Sequence, residues 1–242
     1  MSGGTKPGGT YGTLYGVGLG PGDPELITRR AARLIADARV VAYPSLAGGE
    51  SLARAIAAEL IAPGTREIRM DVPMTRDRAP AQAAYDAGAA QIAAVLEAGE
   101  DVVCLCEGDP FFYGSFMYLH ARLAPRYRVE TVPGVTSLTA CAAVAAMPLA
   151  ARNEVVTILP GPLPDDALRD RLRGADTVVC MKVGRHLPRL RALLDAEGLL
   201  DRATYVERAT LGAERVLPLA EAPEAAPYFS MILVAKGADP WL

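Results

Sequence analysis

Short apolar runs alternate with helical patterns along the first half of the chain. The apolar runs predict strands at residues 13–19, 39–43, 66–70, 101–106 and 128–132. Apolar residues at helical spacing predict helices at residues 25–38, 51–61, 79–98 and 115–123. Strands and helices that alternate in this way are typical of a parallel sheet with crossover helices. We therefore expect a first α/β domain over residues 13–133.

The pattern restarts after an Ala-rich stretch. Strands are predicted at residues 154–159, 177–181, 203–206, 214–217 and 228–235, and helices at 165–173 and 187–196. The last strands follow one another almost without helices, which predicts a mixed sheet. The fold class is therefore α/β, with two α/β domains, a mostly parallel N-terminal sheet and a mixed C-terminal sheet. The predicted segments are a disordered leader at 1–12, the first domain at 13–133, a connecting helix at 134–148 and the second domain at 149–242.

Composition narrows the classes of partner. The chain has 242 residues, 51% of them hydrophobic, which is enough to bury a core. Lys and Arg (25) nearly balance Asp and Glu (28), so the chain lacks the excess of positive charge that would attract the phosphate backbone of a nucleic acid. We therefore expect no nucleic-acid partner. Residues 1–12 lack the apolar core of a signal peptide, which predicts a cytoplasmic protein. Residues 131–151 carry no charge, but Pro133 and Pro148 interrupt them, so we expect a turn and a buried helix and no membrane span.

Four cysteines and two histidines are the candidate metal ligands. Cys104 and Cys106 lie on one apolar run, where a period of two puts both on the same face. No Cys-x-x-Cys pair or matched histidine spacing accompanies them. The sequence therefore predicts buried free thiols and no metal site.

The first chemical motif is the Gly-rich turn at residues 15–25, Tyr-Gly-Val-Gly-Leu-Gly-Pro-Gly-Asp-Pro-Glu. A strand runs into this turn, and Asp23 followed by Pro24 predicts the N-cap and first residue of a helix. The motif indicates either a tight turn alone or a nucleotide-type ligand at the carboxyl edge of the sheet. An NAD site is a weaker alternative, because no acidic residue ends the second strand at 41–44 and Pro21 lacks an N–H for a pyrophosphate.

Two further motifs also follow predicted strands. Residues 107–114, Glu-Gly-Asp-Pro-Phe-Phe-Tyr-Gly, place two carboxylates beside three aromatic rings, which a simple turn does not explain. Residues 132–137, Val-Pro-Gly-Val-Thr-Ser, lead into a helix whose Thr136 and Ser137 hydroxyls either cap it or hold a ligand.

Taken in this order, the three motifs resemble those of the tetrapyrrole methylases, and the resemblance runs from residue 13 to about residue 237. It implies a homodimer with S-adenosylmethionine as methyl donor, folded in the cleft between two α/β domains. By position, the residues it implies around the cofactor are Pro21, Glu107, Gly108, Asp109, Phe112, Thr136, Ser137, Met181 and Ala209. One position departs from the family, since uroporphyrinogen methylases have glycine where this chain has Glu107.

Two strings resemble the branch of the family that methylates carbon 20 of precorrin-2: residues 71–78 and 111–120. This tetrapyrrole carries carboxylate arms, and guanidinium groups match carboxylates in pairs, so Arg76 and Arg78 are the candidate substrate ligands. Tyr113 is a candidate for substrate contact and catalysis, and Glu107 and His120 are the other candidate proton acceptors. The alternatives are methylation of cobalt-factor II, of a uroporphyrinogen or of precorrin-4, and a binding module without catalysis.

Overall fold

The structure is a computed structural model, and it describes residues 5–6, 9–46, 48–73 and 77–236. The chain divides into two compact units, Met1–Thr136 and Ser137–Leu242. The sequence predicts a connecting helix between its two domains, at residues 134–148, and the helix found in this region belongs to the second unit.

The first unit contains a five-stranded parallel sheet. Its strands are β3 (Thr13–Gly18), β4 (Val40–Leu46), β5 (Arg66–Val72), β6 (Val102–Cys106) and β7 (Arg128–Val132). They lie in the order β5-β4-β6-β3-β7, with every neighbouring pair parallel. Before them, β1 (Thr5–Lys6) and β2 (Gly9–Thr10) form a small antiparallel pair inside the stretch expected to be a disordered leader. A pair of this kind rests on backbone hydrogen bonds and needs no apolar run to form.

Helices cover both faces of this sheet. They are α1 (Arg29–Ala36), α2 (Leu52–Ile56), α3 (Ala79–Glu97) and α4 (Phe116–Leu123). On one face of the sheet, Leu14, Cys104 and Cys106 belong to the core formed with α3 and α4. On the other face, Val17 and Leu105 belong to the core formed with α1 and α2. The alternation confirms that the two cysteines share a face, and all four cysteines of the chain are free and buried, as the sequence predicts.

The start of the first helix differs from the prediction. Asp23 does accept a hydrogen bond, from the Glu25 N–H at 2.9 Å, but it caps a short 3-10 helix at Pro24–Leu26. The chain then becomes extended at Ile27, and α1 begins after Thr28, whose hydroxyl accepts from the Ala31 N–H at 3.2 Å. Two caps lie close together in the sequence, and the second one starts the α-helix.

The second unit contains a mixed sheet of five strands. They are β8 (Val156–Pro160), β9 (Thr177–Met181), β10 (Ala203–Glu207), β11 (Arg215–Pro218) and β12 (Ser230–Ala235). Their order is β11-β10-β12-β9-β8, with β8 and β9 parallel and every other pair antiparallel. The parallel first sheet and the mixed second sheet confirm the predicted fold class.

Within the described part of the second unit, the α-helices are α5 (Ser137–Val144), α6 (Asp165–Arg173) and α7 (Leu187–Ala196). Single-turn 3-10 helices lie at Gly184–His186, Leu200–Arg202 and Leu219–Glu221. The uncharged stretch at 131–151 therefore holds only the eight residues of α5 as α-helix. Among the described residues of both units, no helix has the length and apolar character that crossing a membrane requires.

Candidate active site

The three sequence motifs meet at one edge of the first sheet. Since β3, β6 and β7 are parallel, their carboxyl ends lie side by side. Beyond the strands, the Leu19 N–H donates to the Cys106 carbonyl at 3.0 Å. Gly20 and Gly108 then exchange two backbone hydrogen bonds, at 3.3 and 2.7 Å. The first two turns are therefore joined by their backbones.

Glycine is required where these turns approach each other. A Cβ on Gly18 would lie 2.6 Å from the Gly134 nitrogen and 2.7 Å from the Gly108 carbonyl oxygen. A Cβ on Gly134 would overlap the same oxygen. Gly20 and Gly108 also have positive φ angles, of 79° and 65°, which glycine adopts at little cost. The three turns therefore pack against one another through their backbones, with no side chain between them.

The Asp109 carboxylate organises these turns. Its Oδ1 accepts from the Phe111 and Phe112 N–H groups at 2.9 and 3.1 Å, and its Oδ2 accepts from the Gly134 N–H at 3.1 Å. Asp109 therefore caps the second turn and ties it to the third. The resemblance implies Asp109 as a cofactor residue, but three backbone donors already use both of its carboxylate oxygens.

Glu107, the residue that departs from the family pattern, directs its side chain to α2. Its Oε1 accepts from the Ala53 N–H, in the first turn of that helix, at 3.2 Å. Burial raises the pKa of this carboxyl above its ordinary value, and its hydrogen bonds from backbone N–H groups oppose the rise. Because the side chain reaches α2, Glu107 does not prevent the close approach of Gly20 and Gly108.

Aromatic side chains follow the second turn. The Tyr113 ring is 45% exposed and packs edge-to-face on Phe112, with their centroids 5.2 Å apart. Tyr113 also has a φ of 56°, a strained value for a bulky side chain, and such strain is often found at ligand sites. The centroid of the His120 ring is 5.1 Å from that of the half-exposed Phe111 ring and 6.2 Å from that of Phe116, so His120 is part of an aromatic cluster.

The structure gathers most of the implied cofactor residues of the first unit at this edge. Pro21 follows the Gly20 contact and is partly buried. Thr136 comes two residues after Gly134 and directly precedes α5, in the N-cap position. Together with the second turn, these residues account for six of the nine positions, namely Pro21, Glu107, Gly108, Asp109, Phe112 and Thr136.

The other three implied residues lie in the second unit. Met181 ends β9, Ala209 comes two residues after β10, and Ser137 begins α5. β9 and β10 are both antiparallel to β12, so they run in the same direction and end at the same edge of the sheet. Both Met181 and Ala209 are buried.

Backbone strain surrounds these positions in the second unit. Lys182, Arg208 and Thr210 all have positive φ angles, of 56°, 51° and 66°. They flank Met181 and Ala209, and none of them is glycine. Non-glycine residues in this conformation cost about 1 kcal/mol or more each and concentrate at ligand sites. The sequence contains no signal for them, because a Lys, Arg or Thr does not reveal its φ.

A buried polar cluster supports the turn after β10, and sequence reasoning missed it. The Tyr205 hydroxyl donates to Glu207 Oε2 at 2.5 Å and lies 3.2 Å from the Ser230 hydroxyl. Glu207 is 3% exposed, with Arg208 and Arg215 at 3.6 and 3.5 Å. Burial and the neighbouring carboxylate raise the pKa of Tyr205 to about 12. The cluster joins β10 to β12 immediately before Ala209.

The candidate substrate ligands lie beyond β5. Arg78 is exposed in the N-cap position of α3 and makes no capping bond through its side chain. Its neighbour Asp77 accepts from the Ala79 N–H at 3.0 Å instead. Arg76 lies outside the described residues. A third cation that the sequence did not single out, Arg69, bonds Asp71 at 2.8 Å.

Comparison with known proteins agrees with this architecture. Residues 13–223 match the family model of the tetrapyrrole (corrin/porphyrin) methylases. The cobalamin biosynthesis protein CobIJ of Mycobacterium tuberculosis is 47% identical over 93% of this chain and 46% of its own length. The precorrin-2 C(20)-methyltransferase of a Sinorhizobium species is 43% identical over 94% of this chain and 97% of its own. The cobalt-precorrin-2 C(20)-methyltransferase of Salmonella typhimurium is 36% identical over 93% of this chain and 97% of its own length.

Solved structures extend the comparison to the fold. The uroporphyrin-III C-methyltransferase of Thermus thermophilus, complexed with S-adenyl homocysteine, has a TM-score of 0.64 and 28% identity over 93% of this chain and 92% of that chain. The chain spans about half the length of CobIJ. It spans nearly the whole length of the two C(20)-methyltransferases.

Proposed function

The chain belongs to the tetrapyrrole (corrin/porphyrin) methylase family, and from that premise we propose that it methylates carbon 20 of precorrin-2 in cobalamin biosynthesis, with S-adenosylmethionine as donor. The observation that carries the proposal is the 43% identity to a precorrin-2 C(20)-methyltransferase, which extends over nearly the full length of both chains. Identity to the relative named for cobalt-precorrin-2 is lower, at 36%, so the metal-free substrate is the first candidate. Cobalt-factor II is the second.

The first-unit edge has the chemistry that the methyl donor requires. S-adenosylmethionine supplies the methyl group from a sulfonium sulfur, and this cationic centre favours carbonyl oxygens over neighbouring cations. The three glycine turns offer backbone carbonyl and N–H groups, and they pack so closely that a Cβ on Gly18 or Gly134 would overlap the backbone of a neighbouring turn. Pro21, Gly108, Phe112 and Thr136 are the proposed contacts there. We assign Glu107 and Asp109 to the same surface as well, Asp109 through its backbone, because backbone N–H groups occupy both of its carboxylate oxygens.

The second-unit contacts in the proposal are Ser137, Met181 and Ala209. Met181 and Ala209 are apolar residues at the ends of two strands that run in the same direction, which fits the faces of an adenosine group. The strained residues around them support a ligand role for this edge. The buried Tyr205–Glu207 pair would hold the Ala209 turn in place.

For the tetrapyrrole, we propose contacts from Arg76, Arg78 and Tyr113. Arg78 is exposed and does not cap its helix through its side chain, so the fold offers little other reason for a cation there. Methyl transfer requires carbon 20 and the donor methyl group to be aligned, and alignment of two bound reactants can contribute several kcal/mol to catalysis. The partly exposed ring of Tyr113 could provide one flat contact for the macrocycle.

The proposal also includes a homodimer and a cytoplasmic location. Dimerisation comes from the family resemblance, and sedimentation at micromolar concentration tests it. A single-chain mass of 25.5 kDa would contradict it. Four cysteines that are all free fit a reducing compartment.

The main test is incubation of the purified chain with methyl-labelled S-adenosylmethionine and precorrin-2. We expect one labelled methyl group at carbon 20, located by NMR of the product. A competition between precorrin-2 and cobalt-factor II then gives the ratio of their specificity constants, and a preference for the cobalt form would move the assignment to the second candidate.

The remaining alternatives give different results in the same assay. A binding module without catalysis would raise its melting temperature with S-adenosylhomocysteine but leave the tetrapyrrole unlabelled. An NAD-binding enzyme would be stabilised by NAD and not by S-adenosylhomocysteine.

A further inference from the structure

Glu107 lies at the centre of the site, and its carboxyl group reaches the first turn of α2. It directly follows β6, whose five residues are all buried and which lies in the middle of the five-stranded sheet. The next residue, Gly108, makes the paired backbone contact with Gly20. Glu107 therefore occupies the point where the first two motifs meet.

No cation neutralises this carboxylate within the part of the chain that the structure describes. Its side chain receives hydrogen bonds only from backbone N–H groups, that of Ala53 at 3.2 Å and its own. The nearest basic residue along α2 is Arg54, and its guanidinium bonds Glu67 at 3.2 and 3.3 Å.

The other titratable groups nearby do not supply a charge partner either. Burial raises the pKa of the Cys106 thiol to about 11, so this group stays neutral and donates to the Glu107 carbonyl oxygen. The Asp109 carboxylate is held by three backbone donors. Glu107 is thus a partly buried acid without a counter-ion, and burial of that kind makes a carboxylate more basic.

Given the proposed methylation of carbon 20, we propose that the Glu107 carboxylate accepts the proton that carbon 20 must lose. In the transfer, the bond from sulfur to the methyl group breaks and its electron pair stays on the sulfur. An electron pair of the conjugated macrocycle forms the new bond between carbon 20 and the methyl group, which leaves one positive charge on the ring. When the carbon 20 proton passes to Glu107, the electron pair of the C–H bond returns to the ring and restores conjugation.

The structure favours Glu107 over the other two candidates. His120 packs edge-on against Phe111 within the aromatic cluster, and the Tyr113 ring packs on Phe112 and lies on a strained backbone.

The test compares Glu107→Gln with the wild-type enzyme in single-turnover methylation of precorrin-2. The amide oxygen can still accept from the Ala53 N–H, so the link to α2 is retained while the capacity to accept a proton is lost. We expect the rate to fall by about 10²-fold, with affinities for S-adenosylhomocysteine and precorrin-2 changed by less than about twofold. Glu154→Gln is the matched control, because Glu154 also accepts a backbone N–H, that of Ala151 at 2.7 Å, and lies outside the site.

Two readouts separate proton transfer from a structural role. The wild-type rate should fall as the pH drops through a value above 4.5, because a protonated Glu107 cannot accept a proton, and Glu107→Gln should lack this decrease. Deuterium at carbon 20 should slow the variant more than the wild type, since proton loss becomes the slow step.

A Glu107→Gln enzyme with an unchanged rate and pH profile would overturn the inference and leave the proposed methylation intact. Failure of the wild type to label precorrin-2 would instead overturn the proposed function. If the variant does not fold, the pH dependence of the wild-type methylation rate is the test. A wild-type rate that stays constant through the acidic range would reject Glu107 as the proton acceptor.

Discussion

Removal of the Asp109 side chain should damage the fold as well as the site. In Asp109→Ala, the N–H groups of Phe111, Phe112 and Gly134 all lose their acceptor. The bond from Phe111 is exposed and should contribute about 0.5 kcal/mol, and the two part-buried bonds to a charged acceptor about 1 to 1.5 kcal/mol each. The expected loss is about 3 kcal/mol of unfolding free energy.

Urea denaturation followed by circular dichroism measures this loss. For a chain of this size, about 3 kcal/mol also corresponds to a decrease of about 6 to 12 °C in melting temperature. Asp109→Asn is the informative companion, because its amide oxygen can keep both bonds of the second turn while the NH₂ group faces the Gly134 N–H. The loss of unfolding free energy in Asp109→Asn should be about half as large as in Asp109→Ala.

Affinity for S-adenosylhomocysteine should decrease in both variants, because the turns that carry the proposed contacts are no longer tied together. Calorimetric titration below the unfolding range measures it. If Asp109→Ala unfolded within about 0.5 kcal/mol of the wild type and bound the ligand less tightly, the side chain would be a direct ligand and the structural role argued here would be wrong.

Four other changes probe separate parts of the molecule. Gly134→Ala should cost about 1 to 3 kcal/mol in urea denaturation because its Cβ overlaps a neighbouring carbonyl oxygen, whereas Gly174→Ala, with open space around it, should be nearly neutral. Tyr205→Phe should cost about 1 to 3 kcal/mol, since a buried carboxylate loses a donor. The raised pKa of Glu107 contributes stability that is complete below about pH 4.5 and is lost as the pH rises through the folded value, so Glu107→Gln should gain stability relative to wild type between pH 4 and pH 7 in urea titrations. Arg78→Ala should melt as the wild type does but bind precorrin-2 more weakly by about 1 to 3 kcal/mol, with a smaller difference at high salt.

The architecture was largely predictable because periodicity and turn residues report it directly. The boundaries of β7, β9, α6 and α7 agree with the sequence to the residue, and each is bounded by turn residues or by a change in hydrophobic period. The first helix was less predictable. Asp23 and Thr28 are both good N-caps, and the pattern alone does not say which of them begins the α-helix.

The candidate site was predictable in position but not in side-chain roles. Parallel strands bring their carboxyl ends together, so the three motifs could be placed at one edge from the sequence. Whether Asp109 faces a ligand or backbone N–H groups depends on the local turn, which residue type does not determine. In the Tyr205–Glu207 cluster, Tyr205 pairs with Ser230, 25 residues further along the chain, and a single sequence does not reveal such a pairing.

The position of β12 has a consequence for how the protein is made. This strand, Ser230–Ala235, lies between β10 and β9, so it hydrogen-bonds to both. Until the ribosome has synthesised it, β9 and β10 have no partner between them and the second sheet remains in two pieces. The first sheet needs nothing after β7 and can form while the second unit is still being translated. A stalled or truncated chain that stops before Ser230 would therefore present a finished first unit joined to two strand pairs, β8–β9 and β10–β11, each with one unpaired apolar edge, a substrate for chaperones and proteases.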